Sequence, residues 1–545
     1  MTGGAALDNQ RIAERLEAFA VLLELSGANP YSARAYRRAA ELVRATKAPV
    51  ADLVRAGRVR ELRGIGPGIE ARLRELAETG DIADLRELEQ AVDPALVGFG
   101  RLLGLTAQRT MQIARALGVQ TVADFRAAAA AGRLRTAPGI GPKTEEKLLA
   151  ALEEAARPGV AVRRPRFLLS TGLVLLEGIA DALGGTVAGD VRRRRDAPER
   201  LAVVCASDDP WPVIDRFGQL SQIVALAERG ERRALGVTVE GVPVELVVAE
   251  PAGFGTELVR ATGAAPYVEA LEPLLDAPDE EGVYHALGIP FCPPELREAP
   301  FRGEPPPLLE LEDIRGDLHC HTTWSDGTAS VEEMAMAARD RGYEYLAICD
   351  HTRSVSVVPG LDADDVRRQA DEIAAANERL APFRVLRGIE CDILPDGSLD
   401  LPDDVLAELD WVMASVHAGQ RTPREELTRR VVEALRNPYV RGLSHPTGRL
   451  IDRRPPNALD LERVLAVAAE TGAALEVNGL PDRLDLRDEH VRLVVEAGLP
   501  IVVSTDAHSV RGLGNMRLAV GTARRGWATA ADVLNTRRLD EILRR

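Results

Sequence analysis

The chain changes its hydrophobic rhythm twice. From residue 8 to residue 160, apolar positions recur at three- and four-residue intervals, as in Ile12, Leu16, Phe19, Leu22 and Leu23, and glycines punctuate the runs. That spacing predicts short amphipathic helices, including residues 9–26, 36–46 and 69–79. Residues 161–310 introduce β-branched runs at 201–204 and 242–248 with helical stretches between them, an α+β pattern. A proline-rich stretch at 300–307 reads as a linker. Beyond it, short apolar strands alternate with helical patterns. The strands fall at 317–321, 346–350, 385–390, 412–417, 442–445, 474–477 and 501–504; the helices include 332–341, 364–380, 425–436, 461–471 and 488–497. Seven strands with intervening helices predict an α/β barrel.

The chemistry sits at the strand ends, where barrel enzymes place it. Seven of the eight histidines fall between His319 and His508, and six of those seven lie in short motifs with other donors. The motifs are Asp317-Leu318-His319-Cys320-His321, Asp350-His351, Ser444-His445 and Asp506-Ala507-His508, joined by Asp326, Glu390 and His417. Imidazole and carboxylate are ligands for zinc- and manganese-like cations, and nine candidates exceed what one ion can use, so a multinuclear site is expected. His319 and His321 share a strand face that Cys320 cannot, which puts Cys320 in the packing. His285 and His490 fall outside the motifs and are expected to be structural.

Bulk properties narrow the frame. A chain of 545 residues suggests three or four domains. The five cysteines form no Cys-x-x-Cys pair, which argues against disulfides and a thiolate zinc site. No apolar run is long enough to span a bilayer, and Met1-Thr2-Gly3-Gly4 does not open a secretory signal, so the cytoplasm is the expected compartment. The net charge of −16 divides as +3 over residues 1–160, −9 over 161–310 and −10 over 311–545; only the first part is poised for a polyanion. Three lysines (Lys47, Lys143, Lys147) stand against 65 arginines.

Together these C-terminal motifs, with Gly388-Ile389-Glu390 and Ser415-Val416-His417, resemble the PHP (polymerase and histidinol phosphatase) domain over residues 314–545. The resemblance implies a distorted (β/α)7 barrel holding three divalent cations, Mn2+ or Zn2+ with Fe2+ as an alternative. Carried over, His319, His321, Glu390 and Asp506 hold the first metal. Glu390 bridges to a second, also held by His417 and His445, and Asp326, His351 and His508 hold a third. Glu390, Asp506, His319 and His321 would be the catalytic core of phosphoester hydrolysis, with Arg449 and Arg483 as candidate phosphate clamps.

The preceding residues resemble family X DNA polymerases of bacteria, with a palm and thumb like those of polymerase beta at 161–300 and a linker at 301–313. Gly189-Asp190-Val191-Arg192-Arg193 stands where the family has Gly-Ser-x-Arg-Arg, and Glu199-Arg200-Leu201-Ala202-Val203 where it has an Asp-x-Asp strand. Arg200 and Ala202 therefore replace both aspartates and Glu245 the third, while Asp190 would repel a triphosphate. Nucleotidyl transfer is expected to be lost. Two turns, Arg63-Gly64-Ile65-Gly66-Pro67-Gly68 and Pro138-Gly139-Ile140-Gly141-Pro142-Lys143, resemble helix-hairpin-helix motifs in all-α domains at 1–90 and 91–160. Gly64, Gly66, Gly68, Gly139, Gly141 and Lys143 would meet DNA phosphates without reading bases. A third copy at 103–106 has lost a glycine. The helix that carries lyase lysines in some relatives here reads Gly68-Ile69-Glu70-Ala71-Arg72, and arginine is not a nucleophile, so lyase activity is also expected to be lost. The leading expectation is a DNA-processing phosphodiesterase, a 3′–5′ exonuclease with cleavage at abasic sites as a variant, in repair. A PHP phosphatase of a small phosphomonoester and a non-catalytic DNA scaffold are the alternatives.

Overall fold

The computed structural model describes residues 8–90, 92–156, 167–355 and 358–544. Helices Asn9–Leu25 and Pro30–Ala45 pack together through Phe19 and Tyr36, whose rings meet edge-on at 4.8 Å. The second helix begins earlier than the hydrophobic period indicates. The Asn29 side chain accepts from Tyr31 N, and Pro30 at the first helical position has the φ a helix start needs. Two tight turns then lead into helices Pro67–Thr79 and Pro142–Ala156, each preceded by a single 3-10 turn, Val59–Glu61 and Leu134–Thr136. The reduced third turn lies between helices Pro94–Leu102 and Ala107–Leu117, with Thr106 capping the latter.

The central region is built on a five-stranded mixed sheet of β1 (Thr186–Ala188), β2 (Leu201–Ala206), β3 (Ile223–Arg229), β4 (Arg233–Thr238) and β5 (Pro243–Ala249) in the order β1-β2-β5-β4-β3. Strand alternation divides β2 between two cores. Leu201, Val203 and Cys205 join Leu173, Leu176 and Phe217, whereas Ala202 and Val204 join Leu258 and Ala261 of helix Phe254–Thr262. Arg200 and Ala202 thus share a face, and the register sets Ala202 opposite Glu245.

Apart from an antiparallel bridge between Leu308 and Thr529, the proline-rich segment after residue 297 has no helix or strand before Leu311; within it Leu309 is fully buried in the barrel's outer core and donates its N–H to Ala528 O (2.9 Å). Seven parallel strands follow: β6 (Gly316–Cys320), β7 (Tyr345–Ile348), β8 (Arg384–Asp392), β9 (Trp411–Ser415), β10 (Gly442–Leu443), β11 (Ala474–Asn478) and β12 (Ile501–Ser504). They neighbour one another in sequence order and form a nearly closed barrel. First and last strands meet just past their ends, where Asp506 N donates to His319 O and His321 N to Ala507 O, both 2.9 Å. Helices Val331–Asp340, Ala363–Leu380, Arg424–Leu435, Leu461–Thr471 and Asp488–Glu496 match the predicted positions. Among the described residues no helix is long and apolar enough to cross a membrane.

Candidate active site

All nine predicted donors converge at the carboxyl end of the barrel. The Nε2 atoms of His319 and His321 and Asp506 Oδ1 form one group, with separations of 3.2 Å between the histidines, 2.9 Å from His321 to Asp506 and 3.8 Å from His319 to Asp506, and Glu390 Oε2 lies 3.6 and 3.8 Å from the two histidines. Ligands held about 2.1 Å from one tetrahedral ion sit about 3.4 Å apart, so the group has a metal's dimensions. The other Glu390 oxygen, Oε1, lies 2.9 Å from His445 Nε2 and 3.4 Å from His417 Nε2. At the mouth, Asp326 Oδ1 is 3.3 Å from His508 Nε2 and 3.6 Å from His351 Nε2. The groups are not fully separate: His321 Nδ1 also approaches Asp326 (3.9 Å), and His351 Nδ1 lies 2.9 Å from Glu390 Oε2.

Cations fit this donor set. His321 Nδ1 is buried without a hydrogen-bond partner, and Glu390 Oε2 and His351 Nδ1, though 2.9 Å apart, do not meet with hydrogen-bond geometry, which is costly unless something else satisfies them. Electrostatics lead to the same reading. Burial would raise Asp326, but His508, His321 and His351 outweigh it and hold its carboxyl at about 2. Burial would likewise lower His417 and His508, yet Glu390 and Asp392 lift the first to about 9, and Asp326 and Asp506 lift the second to about 9. Burial and the neighbouring His351 push His321 down to about 4. His445 and Asp506 adopt left-handed backbone, φ 24° and 51°, a conformation side-chain-bearing residues rarely take and one that concentrates at functional sites.

The sequence reading missed the carboxylates that aim the rings. Glu476, fully buried in β11, lies 2.6 Å from His319 Nδ1 and accepts from His445 N (2.5 Å), Ser504 Oγ (2.5 Å) and Asn478 Nδ2 (3.1 Å). Asp392 accepts from His417 N at 3.1 Å and lies 3.3 Å from its Nδ1. Asp350 accepts from Thr322 N, Ser325 Oγ and Gln369 Nε2, fixing the loop that carries Asp326. Such partners fix a ligating histidine's tautomer and orientation. Cys320 is buried with its thiol donating to Ala347 O (3.4 Å), turned away from the donors.

The two arginine clamps separate. Arg483 is nearly buried, with Nε 4.0 Å from Asp506 Oδ2 and with Nε and Nη1 unpartnered. Arg449 is not free to clamp phosphate: it pairs with Asp196 Oδ2 (2.7 Å) and donates to Leu484 O (2.5 Å). In the central sheet, Arg200 Nη2 lies 3.1 Å from Glu245 Oε2, and Arg233 Nη1 lies 2.8 Å from Oε1. Asp190 does not present a free negative charge there. It is buried, paired with Arg193, and accepts from Glu199 N (2.7 Å) and Arg200 N (3.0 Å). On the helical turns Gly64, Gly68, Gly139, Gly141 and Lys143 are exposed and Gly66 half-buried. Gly64 and Gly139 have φ 115° and 72°, a region that favours glycine.

Residues 7–82 match a helix-hairpin-helix domain, 101–154 a SAM-like helix-hairpin-helix tandem and 317–478 a PHP domain. Over 563 aligned residues, 97% of this chain and 97% of its relative, the sequence is 35% identical to DNA polymerase/3′-5′ exonuclease PolX of Bacillus subtilis (strain 168). The chain belongs to the PolX family. Shorter stretches of the chain are similar to further proteins. A probable phosphatase of Acetivibrio thermocellus is 34% identical over 201 residues, 35% of this chain and 78% of that protein. Another, from Thermoanaerobacter sp. (strain X514), is 28% identical over 231 residues, covering 40% and 89%. Within this PolX member, Asp506 and His508 lie beyond the segment matched as PHP, and barrel closure returns them to the other seven donors.

Proposed function

We propose that the chain is a metal-dependent phosphoesterase that shortens DNA from its 3′ end, and that its palm and lyase regions no longer catalyse. The observation that carries this reading is the contrast between two sites in one chain. Eight donors gather in overlapping clusters in the barrel and His445 approaches Glu390 beside them, whereas the palm position that would face a metal pair holds the Arg200–Glu245 ion pair. The division into helix-hairpin-helix domains at 1–90 and 91–160, a palm and thumb at 161–300, a linker at 301–313 and a PHP domain at 314–545 belongs to the same proposal.

Divalent cations bound at the three donor groups would supply Lewis acidity toward the phosphoester and a nucleophile at neutral pH. Glu390, with one oxygen in each of two groups, sets the spacing between them. His319, His321 and Asp506 complete the inner group; His417 and His445 complete the second. Asp326 and His508, with side chains 26% and 32% exposed, mark the open side by which DNA enters. Arg483 supplies fixed positive charge to the scissile phosphate from the buried side. The exposed turns at Gly64–Gly68 and Gly139–Lys143 hold the duplex by its backbone, which is sequence-independent. At the lyase position Arg72 pairs with Glu75 (2.9 Å) and Asp84, which supports a structural use of that helix.

The test is to give Mn2+-loaded protein 5′-labelled single-stranded, gapped and abasic DNA and, separately, histidinol phosphate. A ladder of shortened products that disappears in His319→Ala supports the reading. Phosphate release from the monoester without DNA cleavage favours the phosphatase reading suggested by the chain's other relatives.

A further inference from the structure

Arg483 rides on the loop between β11 and the helix Asp488–Glu496. That loop is tied to the metal-facing strand at its ends: Gly479 N donates to Ser504 O (2.8 Å), Leu486 N to Glu476 O (2.9 Å) and Asn478 N to Asp485 O (2.7 Å). Its middle is held from two sides: Ile451 N of the barrel donates to Asp482 O (2.7 Å), and the palm takes up the next apolar side chain. Leu484, adjacent to Arg483, is completely buried not in the barrel but in the hydrophobic core of the palm, the cluster that includes Leu173, Val191 and Leu201. Its backbone is left-handed (φ 45°), which a leucine adopts only where surrounding contacts enforce it. The Leu484 carbonyl accepts from Arg449, whose other amino group pairs with Asp196. Asp196 closes the Gly189–Arg195 segment, the part of the palm that in a polymerase would bind nucleotide; its own carbonyl accepts from Leu169 N (3.1 Å). Burial would lift the Asp196 carboxyl, but Arg449 outweighs it and keeps the carboxyl low and ionised.

We infer that the degenerate palm is a working part of the hydrolytic site, in which Asp196 and the pocket around Leu484 are positioning elements that hold Arg483 toward the scissile phosphate. The Arg483 guanidinium has Nε and Nη1 buried without hydrogen bonds to keep them in place. Beyond its 4.0 Å approach to Asp506, its position is set by its backbone, which the barrel holds at Asp482 and the palm holds through Leu484. The inference rests on the phosphodiester reading above for what Arg483 touches. It assigns the former nucleotide loop a new use, since Asp190, Arg193 and Asp196 are all engaged in ion pairs.

The experiment is a double-mutant cycle in the full-length, Mn2+-loaded protein. Asp196→Asn, which keeps shape and removes charge, should lower kcat for 3′-end removal about 10-fold, the scale of losing an orienting partner. Arg483→Ala should lower it about 100-fold, and Asp196→Asn added to Arg483→Ala should cost less than about 2-fold more, because the two act through one group. Metal content by elemental analysis and the melting temperature should stay near wild type in Asp196→Asn, and Asp196→Glu should restore most of the rate. Leu484→Met should be tolerated and Leu484→Ala should mimic Asp196→Asn. Full activity in Asp196→Asn would overturn the inference; so would a loss undiminished in the Arg483→Ala background, or one that follows loss of metal. If wild-type protein removes no nucleotides, it is the phosphodiester reading that fails. The positioning claim is then decided by inorganic phosphate titrated into the metal-loaded proteins: weaker binding in both Asp196→Asn and Arg483→Ala supports it, and binding unchanged in Asp196→Asn overturns it.

Discussion

Arg200 and Glu245 face each other across adjacent strands of the palm, guanidinium Nη2 to carboxylate Oε2 at 3.1 Å, where family X polymerases set carboxylates around a metal pair. Ion pairs continue outward from Glu245 to Arg233 (2.8 Å), Glu257 (2.8 Å), Arg260 (2.8 Å) and Glu272 (3.0 Å). The face that would require concentrated negative charge is therefore locally neutralised.

From this, primer–template DNA with Mg2+ and dNTPs should show no template-dependent extension by the wild-type chain. Denaturing gels of a 5′-labelled primer decide it, and bands longer than the primer would overturn the reading of the palm.

Glu390 turns one carboxylate oxygen to the His319–His321 pair and the other to His417 and His445. Glu390→Gln should lower 3′-end removal on the order of 10³-fold, the scale seen when fixed charge at a reacting centre is removed. Elemental analysis should show fewer bound ions in the same preparation.

Glu476 touches His319 from behind. Glu476→Gln keeps the volume but weakens the contact that orients the ring, and Mn2+ affinity should fall about 10- to 100-fold. Calorimetric titration would measure it; an unchanged affinity would show that the ring needs no such partner.

His417 and His508, lifted to about 9 in the metal-free protein, are protonated at pH 7.5, whereas a metal takes only neutral imidazole. Metal uptake should therefore release protons at pH 7.5, and release should fade as pH rises past 9. Binding enthalpies in buffers of different ionisation enthalpy would diverge at the lower pH and converge at the higher one.

DNA binding through the helical turns should weaken linearly on a log–log plot against salt, and Lys143→Ala should reduce the slope by about 0.7 to 0.9, one phosphate contact. Fluorescence anisotropy over a salt series would show this, and the effect should be the same for unrelated DNA sequences.

The barrel was legible because each strand is a short apolar run ending in a donor motif, and a period of two gives way to 3.6 between runs. His319, His321, Asp506 and His508 announced themselves as i,i+2 pairs. Asp392 carried a comparable signal, two residues after Glu390 in the same strand. Glu476 did too, as a lone carboxylate in the apolar run Ala473-Ala474-Leu475-Glu476-Val477. Both were obscured because a residue that orients a ligand belongs to no ligand motif. Arg449 and Asp190 misled for a different reason. Their partners, Asp196 and Arg193, are set by packing between and within domains, and local sequence is silent about which charges a fold will bring together.

The seam of the barrel runs through the donor set. His319 stands on its first strand and His321 just beyond it, Asp506 and His508 just beyond its last, and the two sides are joined there by backbone hydrogen bonds from Asp506 N to His319 O, from His321 N to Ala507 O and from Thr328 N to His508 O. An ion held by residues from both edges is consequently a clasp as well as a reagent. Chelation should loosen residues 316–321 and 504–508 before the rest of the barrel, so that amide exchange at this join reports how fully the protein is charged with metal.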